Sequence, residues 1–450
     1  MCGIIGIYSN SPVNKKLFYG LSSLQHRGQE ACGITVSKGD SLKREKGMGM
    51  VNEVFKESNL SELDGNIGIG HVRYSTSGGS YDYNTQPLMG FSKGEEISLS
   101  HNGNLINHQI LRTRLEEEGM MFQTTIDTEV ILFLIARYYQ KGDIVEAIKK
   151  TMDVIEGAYS IVLLLQDKLV AFRDPHGIRP LVLGESKDGD VIISSENAPV
   201  EIIGTKVKRD ILPGEIVVVD SSGVNSYFYE KTKRPKHCIF EYVYFSRDDA
   251  TLDKVNSYNF RRRCGETLSK EAPCDVDLVV PVPDSGIPSA IGYSQETKIP
   301  FAEGLVKNRY VGRSFIKPTQ EEREMAVKLK LNPLRHVVEG KKIVLIDDSI
   351  VRGTTSRNLI RRMREAGAKE VHLRITSPPV VNQCYYGIDT PSRMNLIAAN
   401  HSVEEMRELI GADSLAFISI EGMQKATLID GDKFCKACFD GKYPVDPIII

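Results

Sequence analysis

The segment that most limits what this chain can fold into is Ile343-Val344-Leu345-Ile346-Asp347-Asp348-Ser349-Ile350-Val351-Arg352-Gly353-Thr354-Thr355-Ser356. Its apolar start suits a strand buried on both faces, and it ends in two carboxylates followed by a Gly/Thr-rich loop. A helix then carries Leu359, Ile360 and Met363 to a stop at Gly367, and Val371–Ile375 supplies the next strand. Val276–Val282 is a similar apolar run, with a helix opening over Ile287–Tyr293. This β-α-β rhythm predicts an α/β domain with a parallel, helix-covered sheet whose ligand lies beyond the strand C-termini. The free N–H groups and hydroxyls of the loop suit a phosphate at the positive end of the helix. The acidic pair suits ribose hydroxyls and Mg²⁺. Read otherwise, the two acids are an ordinary helix cap.

The first half has another rhythm. Short β runs at Gly3–Tyr8, Ile67–Tyr74, Ile97–Ser100, Tyr159–Leu165, Lys168–Phe172, Val191–Ser194 and Glu215–Val219 are interleaved with helices, one beginning near Ile126. Such a pattern predicts an α+β layered sandwich. Lys and Arg crowd Tyr227–Pro235, which reads as a linker, so the expected domains are 2–230 and 231–450. With 57 Lys+Arg against 59 Asp+Glu, the net charge of −2 provides no general basic field for nucleic acid or an anionic membrane. No apolar stretch reaches the roughly 18 residues of a membrane span, and the first residues lack the pattern of a signal peptide. A cytoplasmic location is the simplest expectation.

Eight cysteines in 450 residues are too sparse for a disulfide scaffold. Cys2 would become N-terminal on removal of Met1, joining a thiol to an α-amine whose ordinary pKa is about 8, so nucleophile and base can belong to one residue. Taken alone, Cys2 reads equally as a small buried hydrophobe. Arg73 alone is a surface strand residue, Asn102-Gly103 is above all a hairpin-turn signal, and Asp127 is a helix-end carboxylate. Cys435-Lys436-Ala437-Cys438 can chelate a metal, form a redox pair or occur by chance.

Together, Cys2-Gly3-Ile4-Ile5-Gly6, His26-Arg27-Gly28, Arg73-Tyr74-Ser75-Thr76, His101-Asn102-Gly103-Asn104 and Asp127-Thr128-Glu129 resemble the glutaminase domain of the N-terminal-nucleophile amidotransferases. The resemblance covers roughly residues 2–230. It implies Cys2 as nucleophile with its own amine as base, and Asn102 and Gly103 as donors of an oxyanion hole. Arg27, Arg73 and Asp127 become the residues that hold glutamine.

The Asp347–Ser356 segment resembles the signature of the type I phosphoribosyltransferases, which bind 5-phosphoribosyl 1-pyrophosphate. Pro281–Gly286 and Lys307–Arg313 narrow the match, and with the first domain the chain is similar to the glutamine-dependent phosphoribosylpyrophosphate amidotransferases of purine synthesis. That resemblance implies Mg²⁺ at Ser285, Asp347 and Asp348. It implies the ribose phosphate at Arg352, Gly353, Thr354, Thr355 and Ser356, and a closing loop bearing Arg309, Tyr310, Arg313 and Lys317. It further implies homo-oligomers, purine nucleotides as feedback inhibitors and, as in some members, a [4Fe–4S] cluster on Cys238, Cys384, Cys435 and Cys438. A zinc site would use the same four thiolates. One stretch departs from the family pattern, where Ser246-Arg247-Asp248-Asp249-Ala250 replaces the usual Ala-Arg-Pro-Asp-Ser. Hexosamine-forming amidotransferases share the first domain but have no use for the acidic pair and its loop. A non-catalytic sensor of the phosphoribosyl ligand would have no use for the glutaminase set.

Overall fold

The computed structural model describes residues 1–75, 78–139, 142–308 and 331–447. In the first half two antiparallel sheets lie face to face. The seven-stranded sheet runs, edge to edge, Lys206–Asp210, Val182–Glu185, Val191–Ser194, Gly3–Tyr8, Ile67–Arg73, Ala31–Ser37 and Leu42–Met48. The six-stranded sheet runs Gly223–Phe228, Glu215–Asp220, Leu169–Arg173, Gly157–Leu164, Glu95–Leu105 and Leu88–Ser92. Ile4 and Ile69 of one sheet join Val162, Leu164, Ala171 and Val217 of the other in an apolar middle layer. Helix Asn14–Ser23 covers one outer face through Leu17 and Leu21. Helices Asp127–Tyr138 and Ile144–Met152 cover the other. This is the layered α+β sandwich expected from the sequence.

The second half builds a parallel sheet in the order Leu278–Pro281, Lys342–Asp347, Glu370–Ile375, Ser414–Phe417. Lys342–Asp347 lies inside it and is buried from Ile343 onward, which is why its sequence is continuously apolar. Helices Ser257–Glu271 and Gly286–Thr297 pack almost backbone to backbone. A Cβ at Gly265 would fall 1.9 Å from the Ser289 carbonyl oxygen, and one at Gly292 would fall 2.0 Å from that of Arg262.

Two readings of the sequence need correction, and one strand is missing from them. Asn102-Gly103 is no turn: it lies within the continuous strand Glu95–Leu105, paired with Ser160 and Tyr159. Gly103 (φ +154°) is required there because a Cβ would meet the Ala158 carbonyl oxygen at 1.9 Å. The expected linker begins too early, since Tyr227 and Phe228 still belong to an edge strand. Ala31–Ser37, buried throughout, lacks the polar/apolar alternation that would mark it as a strand.

The halves are not separate cores. One apolar cluster runs from Met1, Ile5 and Leu21 through Cys238, Tyr242 and Phe260 to Val344 and Cys435. Buried charge crosses the same boundary: Arg173 holds Asp253 at 2.7 and 2.8 Å, and Arg27 holds Glu241 at 2.9 and 3.0 Å. Among the described residues no helix is long and apolar enough to cross a membrane.

Candidate functional site

The first site forms where the central strand of one sheet meets the long strand of the other. Gly3 pairs with Val72, so Cys2 emerges beside the end of the Ile67–Arg73 strand. The Cys2 thiol, 8% exposed, donates to the Tyr74 carbonyl at 3.6 Å. The Cys2 backbone N–H donates to Asn102 Oδ1 at 3.1 Å. That bond fixes which way the amide faces, and it leaves the fully buried Asn102 Nδ2 without a hydrogen-bond partner among the described residues. A buried donor left unpaired costs about 1–3 kcal/mol, so an acceptor brought to that point recovers it.

Around this pair the buried groups are strongly constrained. Burial and then the Arg73 charge push the His71 pKa down to about 3, so His71 is neutral at ordinary pH. Asp127 accepts the Leu105 N–H at 2.9 Å and lies 3.7 Å from His101 Nδ1. Burial works to raise the Asp127 pKa, yet His101 and the Leu105 N–H hold it below the usual carboxylate value. Arg73 is 2% exposed and bonds Glu30 at 2.5 Å and the Gly79 carbonyl at 3.2 Å. The Met1 amine is buried, which lowers its pKa to about 5.

Arg27 is not where a substrate would find it. It is wholly buried: Nε donates to the Cys2 carbonyl at 3.0 Å, Nη1 to Glu196 at 2.5 Å and to Glu241 at 3.0 Å, and Nη2 to Glu241 at 2.9 Å. Burial opposes its charge, but the two carboxylates more than offset this and raise its pKa. With four of its five N–H donors spent inside the protein, Arg27 anchors the backbone of Cys2 and is not free to clamp glutamine. Glu30, Arg179 and Glu196, which lie in bends, and Glu241, which opens a short helical segment, complete these networks, and no local spacing in the sequence marks them.

The second site lies at the C-terminal end of the parallel sheet. Asp347 ends its strand and Asp348 follows, both less than a tenth exposed. Asp348 accepts Ser285 Oγ and Ser349 Oγ, each at 2.5 Å, while its N–H donates to Asp347 Oδ1 at 2.9 Å. Burial, reinforced for Asp347 by its neighbour's charge, raises both carboxyl pKa values. Two hard carboxylates with a hydroxyl beside them fit a hard divalent cation, whose charge would relieve that repulsion. Gly353 (φ +75°) then turns the chain into helix Thr354–Glu365, leaving Arg352, Thr354 and Thr355 exposed at its N-terminus and Ser356 buried. Lys307 forms an ion pair with Asp284 nearby. Arg309, Tyr310, Arg313 and Lys317 lie outside the described residues.

The four cysteines singled out in the sequence also converge. Cys238 and Cys435 are cross-strand partners in a short parallel bridge, Cys438 lies on the following helical turn, and Cys384 lines the same cavity. All four line one cavity of about 20 Å³ together with Arg179, Phe240, Tyr386 and Tyr443. Among the described residues Arg179 Nε and Nη2 are buried without hydrogen-bond partners, although its Nη1 reaches Glu241 at 3.3 Å. Burial pushes the Cys238 thiol up to about 11, and raises that of Cys438 well above its ordinary value. Among the described residues no three His, Cys, Asp or Glu side chains stand close enough to hold a single metal ion.

Comparison with known proteins gives two domain matches, a glutamine amidotransferase domain over residues 71–201 and a phosphoribosyl transferase domain over 262–376. The chain is 48% identical over 452 residues to Amidophosphoribosyltransferase 2, chloroplastic, of Arabidopsis thaliana, covering 99% of this chain and 80% of that protein. It is 49% identical over 449 residues to Amidophosphoribosyltransferase of Methanothermobacter thermautotrophicus, covering 98% and 94%. Among solved structures it is similar to glutamine phosphoribosylpyrophosphate amidotransferase from B. subtilis complexed with ADP and GMP. The TM-score there is 0.93 at 42% identity, covering 99% of this chain and 98% of that one.

Proposed function

The chain belongs to the amidophosphoribosyltransferase family, and from that membership we propose how its two sites divide one reaction. It moves the amide nitrogen of glutamine to C1 of 5-phosphoribosyl 1-pyrophosphate, giving 5-phosphoribosylamine, pyrophosphate and glutamate. This is the first committed step of purine synthesis.

At the first site the Cys2 thiol attacks the glutamine side-chain carbonyl carbon. The α-amine exposed by removal of Met1 takes the thiol proton and returns it to the departing ammonia. The resulting thioester is hydrolysed by water to glutamate. The negative oxygen of the tetrahedral intermediate falls to Asn102 Nδ2 and the Gly103 N–H. The observation that carries this reading is the bond from Cys2 N–H to Asn102 Oδ1, which leaves a buried, unpaired donor beside the nucleophile. Such a donor stabilises charge that exists only in the transition state. Arg73 is the cation for the glutamine α-carboxylate, and Asp127 the partner of its ammonium.

At the second site Arg352–Ser356 would hold the ribose phosphate, and Ser285, Asp347 and Asp348 would hold Mg²⁺. A cation held there would supply positive charge against the departing pyrophosphate. For the cysteines, the support is their convergence on one cavity beside the Arg179 guanidinium, together with the family resemblance, in which four such thiolates carry a multi-iron cluster. We therefore assign [4Fe–4S] to Cys238, Cys384, Cys435 and Cys438. The relative bearing ADP and GMP supports purine nucleotides as ligands that report end product. We place the domain division at 2–230 and 231–450, after the last sandwich strand, and expect a homo-oligomer.

The test is Cys2→Ala. Glutamine-dependent synthesis should disappear while synthesis from added ammonia persists. Equal loss of both in a folded variant would refute the division of labour.

A further inference from the structure

The far side of the oxyanion strand rests on the other half of the chain. Gly387 (φ +101°) lies so close to Gly103 that a Cβ on it would fall 2.9 Å from both the carbonyl carbon and the oxygen of Gly103, and 3.2 Å from its Cα. One residue further along the strand, Asn104 Nδ2 donates to the Tyr385 carbonyl at 2.9 Å. The turn that makes these contacts is itself held. The Cys384 N–H donates to Thr390 Oγ1 at 2.6 Å, the Tyr386 N–H to Cys384 Sγ at 3.3 Å, and the buried Tyr386 hydroxyl to the Val445 carbonyl.

We infer that the Tyr385–Gly387 turn is the back wall of the glutaminase oxyanion hole, and that Gly387 and Asn104 are positioning residues that set the Gly103 peptide for glutamine hydrolysis. The inference rests on the assignment of Asn102 and Gly103 as oxyanion donors. Its physical basis is distance. Gly103 has no side chain to be packed, so only backbone contact can fix the direction of its peptide from behind. The Asn104 bond pins the same stretch of strand to the same turn. A donor displaced by about an ångström loses much of its worth to an intermediate that needs a hydrogen bond near 2.7–3.1 Å. Such a shift leaves ground-state binding of glutamine, through Arg73 and Asp127, largely in place.

Gly387→Ala tests this by forcing the two backbones apart. Asn104→Asp tests it with an isosteric side chain that has no donor for the Tyr385 carbonyl. Each variant is measured in the full-length enzyme for glutamine kcat and KM and for ammonia-dependent synthesis. Each is also tested with the aldehyde analogue of glutamine, whose addition product with the Cys2 thiol places its oxygen where the intermediate's would lie. For both variants the expected result is a fall of about tenfold or more in kcat, with KM changed less than about threefold. The aldehyde should bind correspondingly more weakly, and ammonia-dependent synthesis should be retained.

Three results overturn the inference: unchanged kcat in Asn104→Asp, a rise in KM alone, or parallel loss of ammonia-dependent synthesis in both variants. Asn102→Ala, run alongside, separates the two levels. If it lowers kcat while Asn104→Asp does not, the back wall fails and the oxyanion assignment stands. If Asn102→Ala itself has no effect, both fall.

Discussion

At the scale of single residues the chain repeatedly spends buried polar groups on one narrow region. Asn102 is the clearest case, with one end tied to Cys2 and the other left open. Asn102→Ala should lower glutamine kcat by about 10²–10³, the usual effect of removing one oxyanion donor, with ammonia-dependent synthesis unchanged. A steady-state comparison with the two nitrogen sources measures it directly. Arg27 shows how a motif can identify a position and mislead about its work. His26-Arg27-Gly28 lies at the site as the family pattern implies, yet the guanidinium faces inward to Glu196, Glu241 and the Cys2 carbonyl. The sequence carries the cation but not the two carboxylates that claim it, because these lie 169 and 214 positions away.

At the scale of elements, what could be read in the sequence follows how far apart the deciding atoms lie. The Lys342–Asp347 strand, its acidic end and the helix from Thr354 are encoded within one short run, and the structure reproduces them. The sandwich strand Ala31–Ser37 was not legible, because burial on both faces erased its alternation. Asn102-Gly103 reads as a turn only while its neighbour is unknown; the Ala158 carbonyl beside Gly103 turns the same dipeptide into mid-strand.

Glu196 shows a junction of elements working through charge. It joins the turn at His26 and Arg27 to the backbone N–H of Arg247. Burial works to raise its pKa, but His26 and Arg27 bring it down to about 2, below the ordinary 4.5. Its contribution to stability is therefore full above about pH 4.5 and is lost as pH falls toward 2. Breaking such a buried pair costs about 3–5 kcal/mol. Glu196→Gln should thus be destabilised by that order at pH 7 and converge toward the parent as the pH drops to 3, measured by urea midpoints across the range.

At the scale of the whole molecule, the two halves carry different chemistries but share one interior. Cys238, Tyr242 and Phe260 extend the core that begins with Met1 and Ile5, and Glu241 is the bidentate partner of Arg27. A fragment of residues 1–230 would keep Cys2, Asn102 and Gly103 yet lose that carboxylate and the Gly387 turn. It should hydrolyse glutamine at least about tenfold more slowly than the full chain and unfold at lower urea, as the buried Arg27 charge is left half paired. Glutaminase assays and denaturation curves on fragment and full chain check both. The contact of Gly387 with Gly103 also bears on how the protein is made. A ribosome delivers Cys2 first, then Asn102 and Gly103, and only some 280 residues later the glycine that braces them. Until that late segment has emerged, the nucleophile exists without a finished site. A partly made chain should therefore hydrolyse glutamine only slowly until the acceptor domain that uses the ammonia has been made.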